Sequence, residues 1–224
     1  MKNIAIIAGG NSSEYEVSMK SGKNIYDEVD ENRYNKYLVI LKGRDWHVEI
    51  GEEKYPVDKN DFSFTRNGEK ILFDFAYITI HGVPGENGLL QGYLDMMGVP
   101  YGCCNVLASA LTFDKHTCNT YLKSYGVNVA DSVMLIRGMT YDVNEIINEV
   151  GLPCFVKPNA EGSSFGVTKV KEAAQLEDAL KKAFALCREV LIETFIDGTE
   201  LTCGVVKAGV MDITMPNMDG LEAL

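Results

Sequence analysis

Long apolar runs are missing from this chain. The opening MKNIAIIAGG has five apolar residues in succession before two glycines, too few for a signal-peptide core, and nothing later approaches a membrane span. A basic excess is missing too: 21 lysines and arginines face 32 aspartates and glutamates, giving a formal net charge of −11. That excludes a general electrostatic grip on nucleic acid or anionic lipid. A single phosphate ligand stays open, because a few local lysines and backbone amides can hold one against a distant negative field. The six cysteines (103, 104, 118, 154, 187, 203) include no C-x-x-C pair, so neither a zinc knuckle nor a thioredoxin-like motif is present. Free thiols in a reducing cytoplasm are expected. No Gly-Lys-Ser/Thr follows a glycine-rich turn at Walker spacing, which excludes a P-loop.

What is there reads as a soluble globular chain, 46% hydrophobic and 24% charged, long enough at 224 residues for one large domain or two small ones. NIAIIAGG predicts a buried strand ending in a glycine turn, EVSMKSGKNIYDEV a helix, and KYLVIL (36–41) the next strand. DWHVEI and EKYPV flank Gly51-Glu52 as a hairpin, DFAYITIHG is a strand, and NGLLQGYLDMMG is a helix ended by Gly98. This alternation argues for an α/β, doubly wound parallel sheet over residues 1–100. Beyond Pro100 the pattern becomes α+β. A long helical stretch, NVLASALTFDKHTCNTYLKSYG, is ended by Gly126; the helix TYDVNEIINEVG follows, then the strand LPCFVKP and the loop EGSSFGV. A short strand TKV, the helix EAAQLEDALKKAFALC and the strands EVLIETFI and ELTCGVVK complete a second unit over 101–208.

Several stretches carry chemistry. In EGSSFGV, glycines and serines let backbone N–H groups converge on a phosphate while hydroxyls donate further bonds, and Lys157, at a strand end six residues before Ser163, can meet the same anion. A plain hairpin turn reads equally well. Lys115, on a helix, is by itself a solvated surface charge. Glu193 ends the strand LIETFI before DGTE; a hinge of this kind can pair with an adenine edge, with carboxylates accepting from its amino group and from ribose hydroxyls. Glu200 alone reads as an exposed strand carboxylate. Glu14 follows the first glycine turn, where doubly wound sheets gather ligands; it can neutralise an amino-acid ammonium or simply favour a helix N-terminus. His81 closes another strand before Gly82 and can donate to a substrate carboxylate or be a satisfied loop histidine.

GGNSSEYEVS (9–18), HGVPGENGLLQGYLDMMGVPYG (81–102), FDKHTCN (113–119), FVKPNAEGSSFGV (155–167) and VLIETFIDGTEL (190–201) resemble, in order and spacing, the D-alanine–D-alanine ligases of the ATP-grasp superfamily. The resemblance covers residues 1–208. It implies a pre-ATP-grasp domain over 1–100 and a nucleotide-binding ATP-grasp lobe over 101–208. The implied activity is ATP- and Mg²⁺-dependent synthesis of D-alanyl-D-alanine through an acyl phosphate, for peptidoglycan and cell shape, in the cytoplasm. The implied partners are ATP and D-alanine, without nucleic acid or membrane, and a homodimer is allowed. By resemblance Lys115 and Lys157 hold the triphosphate under a lid containing Gly162, Ser163 and Ser164. Glu193 and the Phe195-Ile196 backbone hold adenine, and Glu200 holds ribose. Glu14 and His81 hold the first D-alanine, with Ser163 linked to Glu14; these two, Glu14 and Ser163, are the implied catalytic pair.

The resemblance fades after Lys207-Ala208, before the metal ligands and oxyanion arginine that the family carries in its last third. The metal ligands are therefore unknown, and no lysine or arginine follows Lys207. Residues 209–224 read as a non-ligase tail. Within it VMDITMPNMDGLEAL (Val210–Leu224) resembles the phospho-acceptor stretch of a response-regulator receiver, with Asp212 at the acceptor position. The first strand carries no acidic pair and no lysine follows Asp212, so a working phosphorelay module is not expected. The expectation is a truncated ligase, inactive by itself; the alternative is a non-catalytic nucleotide- or amino-acid-binding remnant. Second-substrate preference and oligomeric state do not follow from these residues.

Overall fold

A computed structural model describes residues 1–162, 165–199 and 201. The expectations placed on Ser163, Ser164, Glu200, the strand ELTCGVVK and the tail 209–224 fall outside these described residues, apart from Leu201.

The first unit is built around β1 (Lys2–Gly9), whose last six residues are all buried. It pairs in parallel with β2 (Tyr34–Lys42) on one side and β7 (Phe75–Ile78) on the other. A parallel pair needs a crossover, and α1 (Tyr15–Glu28) supplies it between β1 and β2. Alternation then sorts the side chains. Ile4 and Ile6 pack with Phe75, with Ile25 of α1 and with Val29, its C-cap. Ala5 and Ile7 point into a second cluster with Leu90 and Leu94 of α2 (Leu89–Met97). Both faces of β1 are thus covered by helices, as the continuous apolar run of its sequence requires.

Among the described strands, parallel pairing is confined to β2–β1–β7, extended by a single parallel bridge from Ala76 to Tyr101. The rest of the seven-stranded sheet, ordered β6-β5-β4-β3-β2-β1-β7, is an antiparallel meander. Its strands are β3 (Asp45–Ile50), β4 (Glu53–Asp58), β5 (Ser63–Arg66) and β6 (Glu69–Leu72). The β3–β4 turn at Gly51-Glu52 is as expected. The β5–β6 hairpin was not read from the sequence, although Asn67 and Gly68 hold φ of 53° and 80°, the left-handed pair that Asn-Gly supplies to a two-residue hairpin.

Past the first sheet, the single helix expected over 105–126 is two. Asp114 leaves the helical region at φ −84° and ψ 105°, and its carboxylate accepts from Thr117 N. It therefore ends α3 (Val106–Phe113) and caps α4 (Lys115–Ser124). A second sheet runs β10-β9-β11-β8, antiparallel throughout. Its strands are β8 (Ser132–Ile136), β9 (Cys154–Pro158), β10 (Thr168–Val170) and β11 (Glu189–Thr194). Val156, Val170, Val190 and Ile192 pack on α5 (Val143–Val150) and α6 (Leu176–Leu186). Register puts Phe155 and Lys157 of β9, Leu191 and Glu193 of β11, and Ser132 and Met134 of β8 together on the opposite face. Among the described residues, no helix is long and apolar enough to cross a membrane.

Candidate nucleotide and substrate site

The face of the second sheet opposite α5 and α6 carries the residues expected on the nucleotide side. Lys157 Nζ forms an ion pair with Glu193 Oε2, and Glu193 Oε1 accepts from Asn119 Nδ2 of α4 at 2.9 Å. Glu193 is only 8% exposed, so a charge in that position requires such partners. Lys115, at the start of α4, donates its ammonium to the carbonyl oxygens of Asn159 (3.2 Å) and Glu161 (2.6 Å). Burial holds its pKa below the ordinary lysine value, and the nearby Lys157 ammonium lowers it further, against opposing pulls from Glu161 and Glu193. Two ammonium groups held in one another's field favour an anion between them, since the anion relieves both the burial and the repulsion. The surface-charge alternative for Lys115 does not describe this residue.

Asn159 joins these parts, and sequence reasoning missed it. It is fully buried. Its Oδ1 accepts from His116 N at 2.9 Å, and its Nδ2 donates to Asp114 Oδ2 (2.7 Å) and Glu189 Oε2 (3.2 Å). Its backbone N–H donates to Glu189 O (2.9 Å), and its carbonyl accepts from Lys115 N (3.3 Å). Asn119 was missed likewise. Both find partners 30 or more residues away in sequence, so no local spacing announces them.

At the far end of β11, the Phe195 N–H donates to Pro153 O at 3.2 Å. The Phe195 ring lies 5.8 Å from that of Phe155, and Lys169 Nζ sits 3.3 Å above its centroid, a cation–π contact that fixes the hinge against β10.

The substrate-side residues gather where β1 ends. Gly9 and Gly10 have φ of 99° and 98°, and a Cβ on Gly10 would come within 2.6 Å of Ile80 Cγ2. Only glycine lets the chain turn here so close to the strand leading to His81. Ser12 Oγ then donates to His81 O at 2.7 Å and accepts from Glu14 N at 3.2 Å, tying the two expected substrate residues to one hydroxyl. Glu14 occupies the N-cap of α1, yet its side chain makes no capping bond, so capping does not account for this carboxylate. Gly162 meets it instead: a Cβ there would stand 2.7 Å from Glu14 Oε2. The loop that follows Lys157 therefore reaches across to the Glu14 carboxylate.

Among the described residues, no group of three His, Cys, Asp or Glu side chains is placed to hold a metal ion.

Comparisons with known proteins agree with this layout. A family model for the D-ala D-ala ligase N-terminus matches residues 3–104, and one for the D-ala D-ala ligase C-terminus matches residues 121–218. The second match takes in part of the stretch that resembles a receiver. A D-alanine--D-alanine ligase of Phocaeicola vulgatus is 54% identical over 223 residues, 99% of this chain and 69% of that protein. One of Parabacteroides distasonis is 54% identical over 216 residues, 96% of this chain and 66% of that protein. Among solved structures, D-alanyl-alanine synthetase A of Vibrio cholerae superposes with a TM-score of 0.79 at 27% identity, covering 88% of this chain and 60% of that one. The VanG D-Ala:D-Ser ligase of Enterococcus faecalis gives 0.76 at 31% identity, with 88% and 63% covered. The chain thus spans about two thirds of the length of the curated relatives and less of the solved ones.

Proposed function

Because this chain belongs to the D-alanine–D-alanine ligase family, we propose that its site binds ATP and D-alanine for the ATP-dependent joining of two D-alanines. In this reading the product serves peptidoglycan synthesis in the cytoplasm, and a homodimer is the family's expectation. One observation carries the proposal: the segment that follows Lys157 brings Gly162 against Glu14. In this reading the groups assigned to phosphate and to the amino acid come to one place.

The reaction runs in two steps. A carboxylate oxygen of the first D-alanine bonds to the γ-phosphorus while the bond to ADP breaks, leaving an acyl phosphate. The amine of the second D-alanine then bonds to the acyl carbon, phosphate departs, and the amine loses a proton. Both steps concentrate negative charge, so catalysis rests on positioning and pre-aimed positive groups. Glu14 holds the first ammonium and His81 its carboxylate. Lys115 and Lys157 meet the phosphates beneath Gly162, Ser163 and Ser164, with Ser163 linked to Glu14. Glu193, Phe195 and Ile196 take adenine, and Glu200 takes ribose. Mg²⁺ is implied by the family; among the described residues no group of three or more His, Cys, Asp or Glu is placed to hold it, and Lys115 and Lys157 are the positive groups assigned to the phosphates there.

Assayed by itself, the polypeptide of these 224 residues binds but does not turn over at an enzymatic rate. Residues 208–224 contain no lysine or arginine to meet a developing oxyanion, and losing even one such donor costs on the order of 10²–10³ in rate. The same observation favours a second reading, nucleotide or amino-acid binding without chemistry. The test is D-alanine-dependent phosphate release from ATP, with dipeptide identified by mass spectrometry. A background rate is expected; dipeptide at roughly 1 s⁻¹ or more would refute inactivity while supporting the ligase assignment. For Val210–Leu224 we favour a ligase reading over a receiver one, supported by the family match that continues to residue 218. Acetyl phosphate labelling of Asp212 would reverse that preference.

A further inference from the structure

We propose that Asn159 is a positioning residue that sets the separation of the Lys115 and Lys157 ammonium groups, so that the pair presents one preformed cradle for a polyphosphate. The inference rests on reading those lysines as phosphate ligands. It starts from chemistry that only one residue type satisfies. A side-chain amide offers two N–H donors and a carbonyl acceptor. Here both donors meet carboxylates, Asp114 and Glu189, and the acceptor meets the His116 N–H at the first turn of α4. Aspartate would turn an acceptor toward two carboxylates, and alanine would leave all three partners unmet in a fully buried position.

These bonds join three pieces of chain at one residue: the cap and first turn of α4, the end of β9, and the first residue of β11. Each piece bears a site group. α4 carries Lys115, β9 carries Lys157 two residues before Asn159, and β11 carries Glu193, to which Lys157 is paired. The Asn159 carbonyl also accepts from both the backbone N–H and the ammonium of Lys115. Two like charges brought together repel, and each ammonium is held against that repulsion by its own contacts, Lys157 by Glu193 and Lys115 by the Asn159 and Glu161 carbonyls. The amide joins those contacts from beneath, so the cradle exists before the anion arrives and less ordering accompanies binding.

The test compares Asn159→Ala and the milder Asn159→Ser with the parent chain, using ATP, tripolyphosphate and adenosine as probes. ATP and tripolyphosphate should bind on the order of tenfold more weakly, with adenosine affinity unchanged. Val170→Ala, in the core on the far side of the same sheet, controls for plain loss of stability and should leave the ratio of ATP to adenosine affinity as in the parent. Equal loss for ATP and adenosine in the Asn159 variants, or no loss for ATP, would overturn the proposal. A separate readout needs no nucleotide: the acylation rate of the Lys115 amine against pH, followed by peptide mass spectrometry. The Asn159 variants should shift that profile, and an unchanged profile would likewise overturn the positioning role. A parent that binds neither ATP nor tripolyphosphate would instead sink the phosphate reading itself, with the Lys115 profile still judging the anchor.

Discussion

Replacing Lys157 by methionine separates what its ammonium does for the fold from what it does for a ligand. Glu193 loses one of two partners and keeps Asn119. Breaking a fully buried pair costs about 3–5 kcal/mol. The two side chains here are 21% and 11% exposed, and one carboxylate oxygen keeps its hydrogen bond, so about 2 kcal/mol is expected. A second change, Glu193→Gln, removes the stranded charge and should return most of that loss in the double variant. ATP affinity should not return. A charge-assisted contact to phosphate is worth about 1.5–3 kcal/mol, so Lys157→Met should weaken ATP binding roughly 10- to 100-fold, and the double variant at least as much, since Glu193 is assigned to adenine. Urea denaturation followed by fluorescence reads the first quantity, and titration calorimetry with ATP reads the second. If Lys157→Met binds ATP as the parent does, Lys157 is structural and its assignment to the phosphates is wrong. If the double variant is no more stable than the single one, the cost did not come from a stranded carboxylate.

Two further outcomes follow from the same geometry. Gly162→Ala adds a methyl group against the mobile end of the Glu14 side chain rather than against backbone. Stability should change by less than about 0.5 kcal/mol while D-alanine binding, measured by saturation-transfer NMR, is lost; retained binding would mean that Glu14 is not the ammonium site. Lys115, whose pKa is held below the ordinary lysine value of 10.5 by burial and by Lys157, binds fewer protons folded than unfolded. The folded state therefore gains stability as pH rises from its lowered pKa toward 10.5. An anion reverses the trend by drawing a proton back, so ATP binding in that alkaline window should be accompanied by proton uptake, seen as calorimetric heats that vary with buffer ionisation enthalpy. Heats independent of buffer would place Lys115 away from the phosphates.

Much of the framework was legible because it is local. The buried run of β1, its glycine turn, the β3–β4 hairpin and the strand bearing Lys157 all show their period or their turn residues in a few consecutive positions. Two departures were legible in principle. Asn67-Gly68 is a strong hairpin signal, and Asp114 three residues before Thr117 is an N-cap; each was obscured by a longer pattern, the strand–helix alternation in one case and an unbroken apolar helix in the other. The expectation of a parallel sheet held for β2–β1–β7, where α1 provides a crossover, and stopped where glycine hairpins replaced helices. The candidate site residues Glu14, His81, Lys115, Lys157 and Glu193 were named because they lie inside contiguous motifs. The connectors Ser12, Asn119 and Asn159 were not, because each acts on a partner supplied by the tertiary fold, and a buried asparagine looks in sequence like any loop asparagine.

The buried side chains of the two sheets belong to separate clusters, two on the opposite faces of β1 and one on β9 and β11. Each sheet can melt as a unit of its own, so calorimetry of the ligand-free chain should resolve two overlapping endotherms rather than one. A molecule held at once by Glu14 and by the lysines would be a strut between them, releasing its hold only when either side opens. Its presence should draw the endotherms together, turning a loosely joined pair of folding units into one cooperative body.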